Sequence, residues 1–511
     1  MTPAPKLSDN SRRIARNTLY LYFRMLLIML VGLFTTRVVL RTLGFDDYGL
    51  YAVVCSIVAL GNIVASSGAQ ALSRYIAAGL EQGDADRSRK VFSTGVIVMM
   101  CLAAVVVLLV ETLGLWYLHH GANVPYGRMD AAEWVLQCSL GVLVLSILSV
   151  PYNATILSHE KMSGFALISI LEALLKLGVA FAILATGFDK LKSYAVLMLC
   201  VAVAVRLTYG LYCRKCFPET RGRLSFHKDL FHEMMGFAGW NFLGSSAHLL
   251  NTQGVNLVVN FFFGVAMNAA RGVAGQIENI VRQFVSNIVI AINPQITRQY
   301  VAGNKNYAFE LVTKGVKYAG LVILFFLVPY IFEADRISLL LFGRNPEGTG
   351  IFSCLALGCI MVDLALNTIV TLELATGKIK HYYIITSSIS ILVLPLCWLA
   401  FRAGAPAYMA YVIFIAVYML VDVARLLIVR AQTGYPIRKF CTEAVLPVAE
   451  VGLMSALVAA AFHFAVPDGW WRFAAVVLAS LVSTAVSAYF FALSKGEKTY
   501  VKSKIMAKFV K

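Results

Sequence analysis

VFSTGVIVMMCLAAVVVLLVETL, residues 91–113, carries one charge, Glu111, in 23 residues. As a helix rising 1.5 Å per residue it reaches about 35 Å, enough to cross the ~30 Å hydrocarbon core of a bilayer. Runs of the same kind continue in both directions. Their spacing predicts fourteen spans near 18–40, 48–72, 91–113, 134–157, 164–186, 193–215, 234–262, 270–297, 311–333, 350–375, 382–402, 406–430, 443–466 and 470–493. The longest connections, 73–90, 114–133 and 216–233, are too short to fold into a domain of their own. Composition agrees: 59% of residues are hydrophobic, 14% are charged and the mean hydropathy is +0.75. A soluble chain carries about 25% charged residues.

The net charge of +17 would suggest nucleic acid in a soluble protein, but here its placement decides. Lys and Arg concentrate in alternate connections: around Arg12 to Arg16, Arg87 to Lys90, Arg214 to Lys228, Arg298 to Lys314, Arg430 to Lys439, and the tail lysines ending at Lys511. The intervening connections hold few, among them Arg41, Arg128, Arg336 and Arg402. By the positive-inside rule the first set is cytoplasmic, so both termini are expected in the cytoplasm and no nucleic-acid partner is expected. The first apolar run is too long for a signal-peptide core and is expected to stay as the first helix. Cys213 and Cys216 form a lone C-x-x-C with no second pair at a zinc-binding distance, so no metal and no cofactor are expected.

The chain repeats weakly. Leu43-Gly44 closes the first span and Phe263-Gly264 closes the seventh, 220 positions later; Gly95 and Gly315, again 220 apart, open the third and ninth. An offset of six spans keeps the orientation, so the halves are parallel repeats. The expected fold class is therefore all-α: a polytopic membrane protein with 14 transmembrane helices as two parallel six-helix lobes plus a C-terminal helix pair. The expected divisions are a first lobe 1–215, a cytoplasmic linker 216–233, a second lobe 234–430, and helices 13 and 14 with a basic tail, 431–511.

Charge inside a span costs ~2.5–3.5 kcal/mol or more at mid-bilayer and is kept where it meets water or a partner. The eighth span places Arg271, Glu278 and Arg282 at i, i+7 and i+11, nearly one line down a helix that Gly275, Ser286 and Asn293 continue. Glu278 can neutralise one arginine, which leaves one positive charge for a ligand. The seventh span repeats the habit with Asn241, Ser245, His248, Thr252, Asn256 and Asn260. Such amides and hydroxyls also serve helix packing, and His248 suits either a hydrogen-bonded packing role or proton coupling. Asn62, Ser66, Gln70 and Ser73 stripe the second span, and Arg24 stands two turns into the first with no acidic residue there. Glu172 with Lys176, and Asp422 with Arg425, have the spacing of self-neutralised pairs, and Asp363 has that of a neighbour to Asn367. The candidate ligand-facing set is Arg24, Asn62, Gln70, Asn241, Ser245, His248, Asn256, Arg271, Glu278 and Arg282, with no catalytic residue among them.

The ordered motifs Arg16-Asn17-Thr18, Leu43-Gly44 through Tyr48-Gly49-Leu50-Tyr51, and Ser73-Arg74-Tyr75 resemble the polysaccharide-exporter (Wzx-type) lipid-linked oligosaccharide flippases of the multidrug/oligosaccharidyl-lipid/polysaccharide exporter superfamily. The resemblance covers essentially the whole chain. It implies two lobes that alternate access to a cavity in the bacterial cytoplasmic membrane and carry an undecaprenyl-pyrophosphate-linked glycan outward, for O-antigen, capsule or exopolysaccharide synthesis. The implied partners are membrane lipid, the lipid-linked glycan, a coupling ion (H+ or Na+), and a polysaccharide polymerase with glycosyltransferases. Related lipid II flippases use arginines on helices one, two and eight; Arg24, Arg271 and Arg282 match the first and eighth, and the second has no interior arginine. Two alternatives remain. One is a cation-coupled small-molecule exporter of the same superfamily, disfavoured by a first span without a carboxylate. The other is a multi-pass glycosyltransferase or polymerase, whose acidic pair would be Asp46-Asp47. The chain has no P-loop and no G-x-S-x-G, so an enzyme is not expected.

Overall fold

A computed structural model describes residues 9–62, 84–159, 161–222, 224–343, 348–377, 379–494 and 496–499, together with 65, 68, 69, 72, 73, 75, 76 and 79. Among the described residues there is no strand. The first half contains α1 (Asp9–Ala59), α2 (Ala85–Leu109), α3 (Leu115–His120), α4 (Met129–Ser158), α5 (Met162–Ala185), α6 (Lys190–Cys216), α7 (Lys228–Leu249) and α8 (Val255–Phe263). The second contains α9 (Val265–Val301), α10 (Lys305–Phe342), α11 (Thr349–Asp363), α12 (Asn367–Thr376), α13 (Ile379–Ser390), α14 (Val393–Arg402), α15 (Met409–Thr433), α16 (Ile437–Phe440), α17 (Leu446–Ala465) and α18 (Trp470–Ser487).

Several expected spans run longer than their apolar cores or are interrupted. The run at 91–113 lies in a rod that continues from α2 through a π-turn, Val110–Gly114, into α3. A second π-turn, Leu250–Gly254, joins α7 to α8. The expected tenth span is two helices, because the chain turns at Leu364–Leu366 between α11 and α12. Eleven described helical stretches are long and apolar enough to cross a membrane. α9 spans 37 residues but is not among them, because Arg271, Glu278, Arg282 and Arg298 dilute its apolar length.

The chain forms two compact units. The first comprises residues 1–269 with 341–346, and the second comprises 270–340 with 347–511. In the first, α4 packs on α6 and α1 on α5, around a core in which Leu50, Val54 and Ile57 of α1 meet Leu136, Leu143 and Ile147 of α4. In the second, α11, α12, α13 and α14 all pack on α15, and α17 packs on α18. The outward faces are as apolar as the cores: Leu108 of α2 is 65% exposed, and Leu211 and Leu453 are similarly open. A helix that is apolar all round suits lipid as its solvent.

Gly44 and Gly49 account for the motif between Leu43 and Tyr51. Gly44 takes φ +81°, a left-handed value that lets α1 break and restart without the Cβ clash another residue would meet. A Cβ on Gly49 would stand 2.1 Å from the Val265 carbonyl oxygen, so the backbones approach within a distance that only glycine allows. Tyr48 is buried, and Tyr51 packs edge-on against Tyr194 of α6. Gly264, 220 residues after Gly44, takes φ +77° between α8 and α9.

Candidate functional site

In the second unit the polar line of α9 meets partners from two other helices. The Arg282 guanidinium donates from Nη2 to Glu278 Oε1 at 2.9 Å and from Nη1 to Asp363 Oδ2 at 2.8 Å. The side chains are 25%, 23% and 12% exposed, so the triad is neither dry nor freely solvated. Asp363, which its spacing placed beside Asn367, ends α11 and turns to α9. The expectation that Glu278 alone balances the span is therefore corrected: two carboxylates converge on Arg282. Neighbouring helices supply what a helical-wheel reading of one span omits. About three turns away, the Arg271 guanidinium lies over the Tyr411 ring of α15, 4.6 Å from its centre. Asp422 and Arg425 pair at 3.0 Å on α15, as their spacing predicts.

The first unit holds a cavity of about 520 Å³ lined by Tyr51, Asn62, Ser139, Ser146, Asn153, Glu172 and Lys176. Glu172 and Lys176 form the expected pair at 2.6 Å. Asn62 is exposed, and the Asn153 side-chain oxygen is buried without a hydrogen-bond partner among the described residues. The seventh-span amides go elsewhere. Asn256 donates to Ser56 Oγ at 3.2 Å, and Asn260, fully buried, accepts from the Asn123 backbone at 3.0 Å while Asn123 donates back to its carbonyl. Both tie α8 to neighbours within the unit. His248 is half-buried in the last turn of α7. Arg24 lies on α1, and Asn241 and Ser245 on α7, with their side chains outside the described residues, as are Gln70 and Ser66 altogether.

The acidic pair beside the first span is committed to structure in part. Arg128 donates from Nε to Asp47 at 3.0 Å and also pairs with Asp189, clamping the starts of α4 and α6 to the Gly44 break. Burial disfavours the charged form of Asp189, but the Arg128 bond and the backbone N–H groups of Lys192 and Leu191 outweigh it and hold its carboxyl below the usual range. Asp363 and Tyr411 are the contributors that sequence reasoning missed. The only signal for Asp363 was a carboxylate inside an apolar run.

A family model described as polysaccharide biosynthesis protein matches residues 14–300. The chain belongs to the polysaccharide biosynthesis protein family. All ten candidate residues fall inside the matched segment, whereas Asp363 and Tyr411 lie beyond it. Among solved structures, the chain is similar to "Lipid II flippase MurJ, inward closed conformation" at 16% identity and TM-score 0.71, over 93% of this chain and 98% of that one. It is also similar to a multidrug resistance MATE family transporter of the MOP superfamily. In its outward-facing conformation the identity is 14% and the TM-score 0.57, over 84% and 99% of the two chains. In an inward-facing conformation they are 14% and 0.54, over 94% and 95%. At such identities the likeness is one of fold. No curated protein matches. This member of the polysaccharide biosynthesis family is thus a multi-pass helical membrane protein with the fold of those transporters, which supports the resemblance read from its motifs.

Proposed function

We propose that the protein moves an undecaprenyl-pyrophosphate-linked oligosaccharide from the inner to the outer leaflet of the bacterial cytoplasmic membrane by alternating access, for surface polysaccharide synthesis. The observation that carries this reading is the Glu278–Arg282–Asp363 triad: a charged cluster, partly open, within a span of a family devoted to polysaccharide synthesis. A pyrophosphate offers several acceptor oxygens and multiple negative charges, which an arginine fork pairs bidentately. Two carboxylates over-balance Arg282, so an arriving pyrophosphate must displace Glu278 and Asp363 from the same N–H groups, with at least one of them taking up a proton. That competition makes binding reversible, and a carrier needs reversible binding. Two six-helix repeats with an added C-terminal pair, and both termini in the cytoplasm, complete the organisation we propose. Binding partners are membrane lipid and the glycan, with glycosyltransferases acting before and the polymerase after.

Removing Arg282 alone strands two carboxylates and is expected to cost ~3–5 kcal/mol whatever its role. The informative variant removes all three charges. Arg282→Gln with Glu278→Gln and Asp363→Asn is expected to reach the membrane at the wild-type level and export less than about a tenth of the wild-type glycan, because the anion fork is gone. Wild-type export by that triple variant would reduce the triad to a structural ion cluster. A second reading, export of small molecules, is favoured by the cavity of the first unit, whose volume falls in the ~300–1,000 Å³ range of small-ligand sites. Accumulation of the lipid-linked glycan on the cytoplasmic side in a deletion strain separates the two.

A further inference from the structure

Glu373 of α12 is fully buried, and among the described residues neither of its carboxyl oxygens has a hydrogen-bond partner. Taking an unpaired carboxylate out of water costs several kcal/mol, so in this conformation burial favours the neutral acid. Even neutral, it leaves a donor and an acceptor unsatisfied, a state that native interiors rarely retain. An apolar side chain would fill the same place at lower cost. Its presence makes sense if the protein visits a second state in which the carboxyl is ionised and wet.

The surroundings are consistent with a proton as the ligand. Ile369 and Leu372 flank Glu373 in an apolar cluster with Val312 and Val316 of α10, Val429 of α15 and Ile296 of α9. On α13, the buried Tyr382 is within electrostatic reach of Glu373 and interacts with Arg425. On α15, Arg425 is paired with Asp422, and Arg430 is exposed. On α10, Lys314 is paired with Glu310 and Lys317 with Glu497; on α9, Arg298 is exposed. Beyond the apolar cluster Tyr435 shares a hydrogen bond with Thr313. Among the described residues no group of three or more His, Cys, Asp or Glu side chains could hold a metal ion here.

α12 is also a short element with a break in the helix at each end. It is ten residues long, with the Leu364–Leu366 turn before it and Gly377 at φ +74° after it. Asp363, which holds Arg282, lies immediately across that turn. We propose that Glu373 is a proton-binding site whose ionisation releases α12 and, through the Leu364–Leu366 turn, loosens the grip of Asp363 on Arg282. The proton leaves the carboxyl for water when the α12 end opens and returns before it closes. The link to Arg282 rests on the export reading above; the proton site itself does not.

The test uses the full-length protein in liposomes without substrate. Hydrogen-exchange protection of peptides covering 364–377, corrected for the intrinsic effect of pH, is expected to fall at least about tenfold in wild type as pH rises through the ionisation of Glu373, and to stay high in Glu373→Gln and Glu373→Leu. Unchanged protection in wild type, or the same fall in both variants, overturns the proton site. A second arm loads the liposomes with undecaprenyl-pyrophosphate-linked oligosaccharide and imposes a pH gradient. Wild type is expected to flip faster with the gradient, and Glu373→Gln at one rate with or without it; equal acceleration of the variant overturns the coupling. If wild type flips none of this lipid, the export reading fails, and the protection measurement still decides the proton site.

Discussion

Gly44 and Gly264 show how a motif that reads as a family signature is a set of steric requirements. Each takes a φ near +80° at the junction between two helices, and both sit in the first unit. Gly264→Ala is expected to lower stability by ~1–3 kcal/mol, the penalty of a Cβ at φ +77° and ψ −174°, a region essentially confined to glycine, since the nearest atom to the new Cβ is at an ordinary 4.0 Å. Gly49→Ala should cost more, because its Cβ would meet the Val265 carbonyl at 2.1 Å and the start of α9 must shift. Thermal unfolding in detergent ranks the two. A milder loss for Gly49→Ala than for Gly264→Ala would mean the close approach is not there. Arg282 gives the complementary lesson. Its own span shows Glu278 one turn away, whereas Asp363, 81 positions distant in sequence, is visible only when α11 is folded against α9.

α10 shows what a single helix can organise. It is kinked at Glu333 (φ −129°, ψ 30°), and the Glu333 carboxylate, 3% exposed, accepts from His463 Nδ1 of α17 and Arg472 Nε of α18, both at 3.1 Å. Toward the other end Lys317, also buried, donates to the Ala492 carbonyl at 2.8 Å and reaches Glu497 at 3.2 Å, with Tyr318 bonding the same carboxylate. The C-terminal helix pair is thus held to α10 at both ends. Burial works against ionising Glu497, but the Tyr318 hydroxyl, the Ser494 N–H and the Lys317 ammonium outweigh it and pull its carboxyl from the ordinary 4.5 to about 2. A depressed carboxylate stabilises fully above its unfolded pKa and loses that contribution as pH falls through the folded one. Thermal stability of the wild type should therefore decline between pH 4.5 and about 2 by an increment that Glu497→Gln lacks. Equal decline in both would remove Glu497 from the attachment.

For the whole molecule, the charge asymmetry predicts the orientation of every span at once. Reporter fusions at Gly222, Gly303 and Gly434 are expected to read cytoplasmic, and those at Gly121, Gly187 and Gly404 external, because the Lys- and Arg-rich connections are retained inside. If the two groups read the same side, the number of crossings between them is wrong and the parallel-repeat plan fails with it. The eleven stretches that are long and apolar enough to cross leave the polar α9 outside that set, although it is a continuous 37-residue helix. A polar helix of that length is tolerated within a membrane protein when neighbouring helices, such as α11 and α15, answer its charges.

The sequence by itself determined the membrane-spanning, all-helical character of this protein and the line of charge down α9, because apolar length and helical periodicity are local properties that need no partner. It also marked the glycine-bearing junctions at Gly44 and Gly264, where a backbone requirement is carried by one residue type. Only the tertiary structure decided which charges are answered, since Asp363 reaches Arg282, Tyr411 reaches Arg271 and Asn256 spends its amide on Ser56 across long separations in the chain. Glu373 was illegible for the same reason. A lone carboxylate in an apolar run looks alike whether its partner is across a helix interface or missing, and packing alone tells the two apart.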